Sequence, residues 1–163
     1  MTVWMMNLID HRQVKNRNAD KELKFRICLE KSILAIGWGV SERPRDWAAY
    51  RALADQKYST DSAYPTAARY LQEMQKGDLV WLHNPVTQVY YLAQVTDDAP
   101  ELCCDFAAFD VFSCRRAHIQ KIEPKVLAAY GLADAKLYAN RAIEQVRTPE
   151  IVDHTIRLFR SVQ

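Results

Sequence analysis

Along this chain the hydrophobic positions follow two spacings, and the switches between them divide it into elements. Val3 to Ile9 is a short, mostly apolar run that reads as a strand, and the polar stretch Asp10 to Asp20 reads as a loop. Lys21 to Ser32 places Leu23, Phe25, Ile27, Cys28 and Leu29 in a pattern that suits a short helix, with the start of a strand as the alternative. Ile33 to Val40 is continuously apolar apart from Gly37 and Gly39, which bracket Trp38. That pattern predicts a buried strand, and glycines within a strand mark a bulge or a close backbone approach. Pro44 and Asp46 open a helix running to about Lys57, with Asp46 as N-cap and Trp47, Tyr50, Leu53 and Ala54 on one face. Tyr58 to Pro65 is rich in turn formers. Thr66 to Lys76 is the next helix, with Ala67, Tyr70, Leu71 and Met74 inward and Gly77 as its stop.

Asp78 to His83 and Gln88 to Thr96 read as the arms of a hairpin turned at Asn84-Pro85. After an acidic loop, Asp97 to Glu101, two further strands are predicted over Phe106 to Ser113 and Ala117 to Ile122. Pro124 to Gln163 reads as helical, in pieces near Lys125 to Tyr130, Ala133 to Val146 and Pro149 to Ser161. Strands interrupted by helices and ending in a meander predict an α+β fold. Its sheet is curved or barrel-like and flanked by helices over residues 1–122, and a C-terminal helical extension, 123–163, packs on it.

Composition narrows the class. The chain has 163 residues, 49% hydrophobic and 26% charged, which suits one globular domain and excludes general disorder. No apolar run approaches a bilayer span, so no membrane association is expected. The opening MTVWMMNLID lacks a basic n-region and does not read as a signal peptide, which predicts a cytoplasmic chain. The cysteines at 28, 103, 104 and 114 are accordingly expected as reduced thiols, Cys28 in the core. They form no CxxC pair and the four histidines are scattered, so neither a metal nor a cofactor is expected. Only four glycines are present, which excludes glycine-rich phosphate loops.

The net charge of +2 is uninformative, but its distribution is not. His11 to Lys31 carries seven Lys and Arg residues against three acids, Arg115 to Lys125 four against one, and Asp97 to Asp110 five acids and no base. Such segregation is either a pair of solvated faces or an electrostatic surface for a polyanion. No nucleophile stands in a catalytic context. Glu123-Pro124-Lys125, with Asp110 upstream, has the Glu-x-Lys spacing of some metal-dependent nucleases, although Pro124 interrupts the strand such a site needs. The tryptophans are more suggestive. Trp4, Trp38 and Trp81 all fall in predicted strands, and Trp81 points away from Val80 and Leu82. Either the helices at 46–57 and 66–76 cover them, or a planar ligand stacks there. Asn7, His83 and Asn84 lie close by in sequence. They could read the edge of a flipped base, or serve ordinarily, Asn84 in its turn and His83 on an exposed strand face.

Three segments carry a resemblance: FRICLEKSILAIGWG (Phe25 to Gly39), AARYLQEMQKGDLVWLHNP (Ala67 to Pro85) and YYLAQV (Tyr90 to Val95). In this order, with Ile36-Gly37-Trp38 ending a strand and Met74 to Asp78 leading from a helix into a hairpin, they resemble the PUA-like superfamily, especially its EVE and YTH-related domains. The resemblance covers residues 1 to 122. It implies a small curved barrel, and a nucleic-acid reader holding a modified or flipped base in an aromatic cage. Trp4, Asn7, Trp38, Trp81, His83 and Asn84 would form the pocket, and Arg12, Lys15, Arg17, Arg26, Arg115 and Arg116 would contact phosphates of DNA or RNA. The late strand, Arg116 to Lys121, lacks the tryptophan usual in restriction-associated relatives. No catalysis is expected from this chain alone. Two other functions compete. One is an accessory subunit of a defence or RNA-processing system, docking a partner or a second copy through Leu137, Ile143, Val146, Ile151, Ile156 and Phe159. The other is an ASCH-like hydrolase or nuclease using Asp110 and Glu123.

Overall fold

A computed structural model describes residues 1–9 and 22–162. In chain order the elements are β1 (Val3–Met6), α1 (Leu23–Lys31), β2 (Ile33–Ile36), α2 (Trp47–Lys57), α3 (Tyr64–Glu73), β3 (Leu79–Asn84), β4 (Val89–Val95) and β5 (Glu101–Leu102). A 3-10 helix (Cys104–Phe109) follows, then β6 (Ser113–Ile122), α4 (Pro124–Ala129), β7 (Ile143–Gln145) and α5 (Pro149–Ser161). The strands form one sheet in the order β2-β6-β4-β3-β1-β7, with β5 pairing β6. Among the described residues only β1 and β3 run parallel; the other pairings are antiparallel. The sheet curls into a half-barrel flanked by helices, in keeping with the expected α+β class.

Side chains alternate across each strand, so the sheet fills two cores. Trp4, Met6, Val80, Leu82, Ala93 and Val95 pack with Phe25 and Cys28 of α1 and with Ala67 and Leu71 of α3. Val3, Met5, Leu79, Trp81 and Leu92 face the other way, onto Leu127, Leu132, Leu137, Leu158 and Phe159. A smaller cluster of Tyr50, Ala54, Tyr64, Ala68 and Phe112 joins α2 to α3. The Gly-Asp element closes the first core. Gly77 takes φ +92°, a conformation glycine adopts freely. Asp78 accepts from the backbone N–H of Thr2 (2.7 Å) and Gln75 (3.1 Å) and from Trp4 Nε1 (3.0 Å).

Several elements depart from the sequence expectation. Strand β2 stops at Ile36, because Trp38 turns into left-handed backbone at φ +58°. Helix α3 begins at Tyr64, with Pro65 in its first turn. The strand expected over Phe106 to Ser113 is a 3-10 helix ended by Asp110 at φ +61°, and β6 starts only at Ser113. The largest correction lies in the C-terminal extension, which is not all helical. The helix expected over Ala133 to Val146 is a series of turns followed by β7. The open edge of β1 accounts for it: Met6 pairs with Ile143 and Trp4 with Gln145, and Val146 N–H bonds Val3 O at 2.9 Å. Nonlocal hydrogen bonds there outweigh local helix propensity. Cys103 and Cys114, expected as thiols, are joined in a disulfide across a Cα separation of 6.5 Å. Their Cα atoms fall within bridging reach because Leu102 pairs with Ser113, beside them.

Candidate functional site

Two of the three strand tryptophans are core residues. Trp4 is 3% exposed, its indole N–H spent on buried Asp78. Trp81 is fully buried on the opposite face of the sheet, where α5 covers it and Trp81 Nε1 donates to Thr155 Oγ1 at 3.0 Å. The element covering Trp81 is thus the C-terminal helix, whereas Trp4 lies under the helix expected at 66–76, its ring 5.3 Å from that of Tyr70. Strand alternation separates Trp4 from Trp81, so the two share no cavity.

Trp38 is different. It is half-buried at the wall of a cavity of about 770 Å3 lined by Asn7, Lys24, Ile36, Trp38 to Val40, Lys57, Tyr58, Asp61, Ala107, Ala108, Asp110 and Ala142. A bulky residue with φ near +60° is a backbone outlier, held only where its surroundings over-determine it. Here they do. Trp38 Nε1 donates to Asp61 Oδ2 at 2.9 Å, and its carbonyl accepts from the Tyr50 hydroxyl at 3.2 Å. Its ring lies 6.1 Å from that of Tyr64. The flanking glycines are steric necessities. A Cβ on Gly37 would lie 1.9 Å from Asp110 Oδ1, and one on Gly39 would lie 2.9 Å from the Phe112 ring.

The remaining walls carry charge and polarity. Lys24, nearly inaccessible on α1, donates to Asp110 Oδ2 at 3.0 Å. Asp110 also has left-handed backbone, so two of the four non-glycine residues with positive φ among the described residues line this cavity. Asp61 gathers three donors: the Trp38 indole and the N–H groups of Ala63 (2.8 Å) and Tyr64 (3.1 Å). Burial raises its pKa, but these hydrogen bonds outweigh burial and hold the carboxyl below its ordinary 3.8. At the rim, Lys57 Nζ and the Tyr58 hydroxyl both donate to Gly39 O, at 2.8 and 2.6 Å. Asn7 Oδ1 accepts from Ile9 N–H at 3.0 Å, and the Asn7 backbone is pinned by Ala142 O at 2.9 Å. Acceptors, donors and an indole therefore converge on one water-accessible space.

Of the six residues expected in the pocket, Asn7 and Trp38 line this cavity and Trp4, Trp81, His83 and Asn84 do not. Asn84 serves its turn: Asn84 Oδ1 accepts from the N–H groups of Val86 and Thr87, and Asn84 Nδ2 donates to Glu22 Oε1 at 2.6 Å. His83 lines a neighbouring cavity of about 160 Å3 and stacks on Tyr90 with ring centroids 4.5 Å apart. Burial lowers its pKa, opposed by a hydrogen bond with Gln88.

The expected phosphate contacts also divide. Arg12, Lys15 and Arg17 lie outside the described residues. Arg26 is exposed on α1, and exposed Arg116 pairs with Glu101 at 3.0 Å. Arg115 is a correction, since it is 0% exposed and cannot reach a phosphate. It donates to Asp97 Oδ1 at 2.7 Å, to Asp97 O, and to the carbonyls of Leu71 and Met74 at the end of α3. Glu123 pairs with Lys121 at 2.9 Å and precedes α4, whereas Asp110 pairs with Lys24 in the cavity. Lys24, Lys57, Tyr58 and Asp61 escaped sequence reasoning, and Asp110 entered it only as a nuclease carboxylate. They come from separate elements, and each reads locally as a solvated or turn residue. The one available signal was the Gly-Trp-Gly triplet, whose bracketing implied unusual backbone.

Among the described residues no helix is long and apolar enough to cross a membrane. Compared with protein-family models, curated proteins and solved structures, the chain matches none.

Proposed function

We propose that this chain binds nucleic acid and takes one unpaired base, flipped or modified, into the Trp38 cavity. The observation that carries the reading is Trp38 itself, a bulky indole fixed in left-handed backbone at a cavity wall. Strain of this kind concentrates at ligand sites, and an indole there stacks on any planar base. The cavity's volume is that of a small-molecule pocket. Asn7, Asp61, Asp110 and Lys24 supply the donors and acceptors that an unpaired base edge needs. The motif resemblance of Ile36-Gly37-Trp38 points the same way. Exposed basic residues such as Arg26 and Lys57 would hold the backbone without reading sequence.

The test is fluorescence anisotropy with single-stranded DNA and RNA oligonucleotides, plain or carrying one methylated base, at low salt. Binding should weaken as salt rises, strengthen with a modified base, and fall about tenfold or more in Trp38→Ala. Absence of binding to every oligonucleotide would sink the reading.

A further inference from the structure

The Trp38 cavity is not isolated: among the described residues two neighbouring cavities share walls with it. Asn7 lines both it and the 160 Å3 cavity beside His83, while Ala142 lines both it and a third cavity of about 200 Å3 beside Thr66. Residues 138 to 143 pass all three. This is the irregular segment and the first residue of β7, found where a helix was expected, and it is firmly held. Ala142 O accepts from Asn7 N–H, and Glu144 Oε1 accepts from the N–H groups of Asn140 and Arg141 at 2.7 and 2.9 Å.

Tyr138 sits on this segment, 43% exposed between buried Leu137 and Ala139. Its ring lies 5.9 Å from that of His83, which in turn stacks on Tyr90. Lys136 Nζ stands 5.4 Å from the Tyr138 ring. An exposed ring backed by two more aromatic rings is a rigid stacking platform, and the Lys136 ammonium over it is a mobile cation that an incoming base would displace. With 43% of Tyr138 exposed, a base can lie on its ring. Exposed Arg141 makes no side-chain hydrogen bond or ion pair among the described residues, and it borders the cavity on the other side.

We propose that the ligand is a single-stranded run of at least two nucleotides: one base enters the Trp38 cavity, and the adjacent base stacks on Tyr138. This rests on the base-pocket reading above and adds a second subsite to it. Arg141 supplies a phosphate contact along the same track.

The test compares nucleosides with trinucleotides carrying 5-methylcytosine or N6-methyladenine at the centre, titrated calorimetrically into the full chain. A stacked neighbour predicts roughly tenfold tighter binding of the trinucleotide than of the nucleoside. At high salt, where the Arg141 phosphate contact is screened, Tyr138→Ala should erase that advantage with nucleoside affinity unchanged, Tyr138→Phe should keep it, and Trp38→Ala should weaken both ligands. Arg141→Ala should reduce the salt dependence of trinucleotide binding by about one unit of slope. Nucleoside binding that depends on Trp38, with no gain from the neighbours or a gain that survives Tyr138→Ala, overturns the second subsite and leaves the pocket reading standing. Failure of every probe to bind the wild-type chain overturns both.

Discussion

At the scale of single residues, the site depends on three residues that together hold one backbone conformation. Gly37 leaves room for the Asp110 carboxylate, Asp61 takes the Trp38 indole N–H, and Tyr50 holds the Trp38 carbonyl. Burial pushes the Tyr50 hydroxyl up to about 12, so it remains a donor at any physiological pH. Gly37→Ala puts a methyl into the space of a carboxylate. It should cost about 1–3 kcal/mol in urea unfolding and weaken ligand binding as Asp110 is displaced. Asp61 has a folded pKa below its ordinary 3.8, so its stabilisation is full above about pH 4 and is lost as pH falls through the lower folded value. Asp61→Asn should therefore be less stable at neutral pH and lose less stability than wild type on acidification below pH 4, as read from thermal unfolding across pH.

At the scale of elements, α5 determines which tryptophans are available to a ligand. It buries Trp81 against Thr155 while α3 covers Trp4, and of the three expected cage tryptophans Trp38 is left. Thr155→Val keeps the shape but strands the buried indole N–H, at a cost of about 1–3 kcal/mol measured by denaturant unfolding, with ligand affinity unchanged. Helix α2 was legible in the sequence because its signal is local: Asp46 caps Ala49 N–H at 2.8 Å as its position implied. The outward turn of Trp81 relative to Val80 and Leu82 was legible for the same reason. Strand β7 was not, because what makes Ile143 a strand residue is Met6, at the far end of the chain. The cavity was half legible. Asn7 and Trp38 lay in recognisable strand ends, whereas Asp110 lay in an acidic run that reads as solvent-facing until its pairing with Lys24 is seen.

At the scale of the whole molecule, the C-terminal forty residues complete both the sheet and the site. They supply the edge strand beside β1, the cover over Trp81, and Ala142 at the cavity wall. A chain ending at residue 122 should lack a cooperative unfolding transition, because Val3, Met5, Leu79 and Trp81 would lie uncovered. Arg115 binds the end of α3 to β6 and the Asp97 loop from within. Asp97→Ala strips a buried guanidinium of its carboxylate and should cost about 3–5 kcal/mol. Entry of an extruded base into the Trp38 cavity can be read by titrating wild-type chain and Trp38→Ala with one single-stranded oligonucleotide bearing a methylated base, over a range of salt. The variant should bind about tenfold or more weakly with the salt slope unchanged, because the indole meets a base and not a phosphate. Equal affinity of the two proteins would contradict base entry.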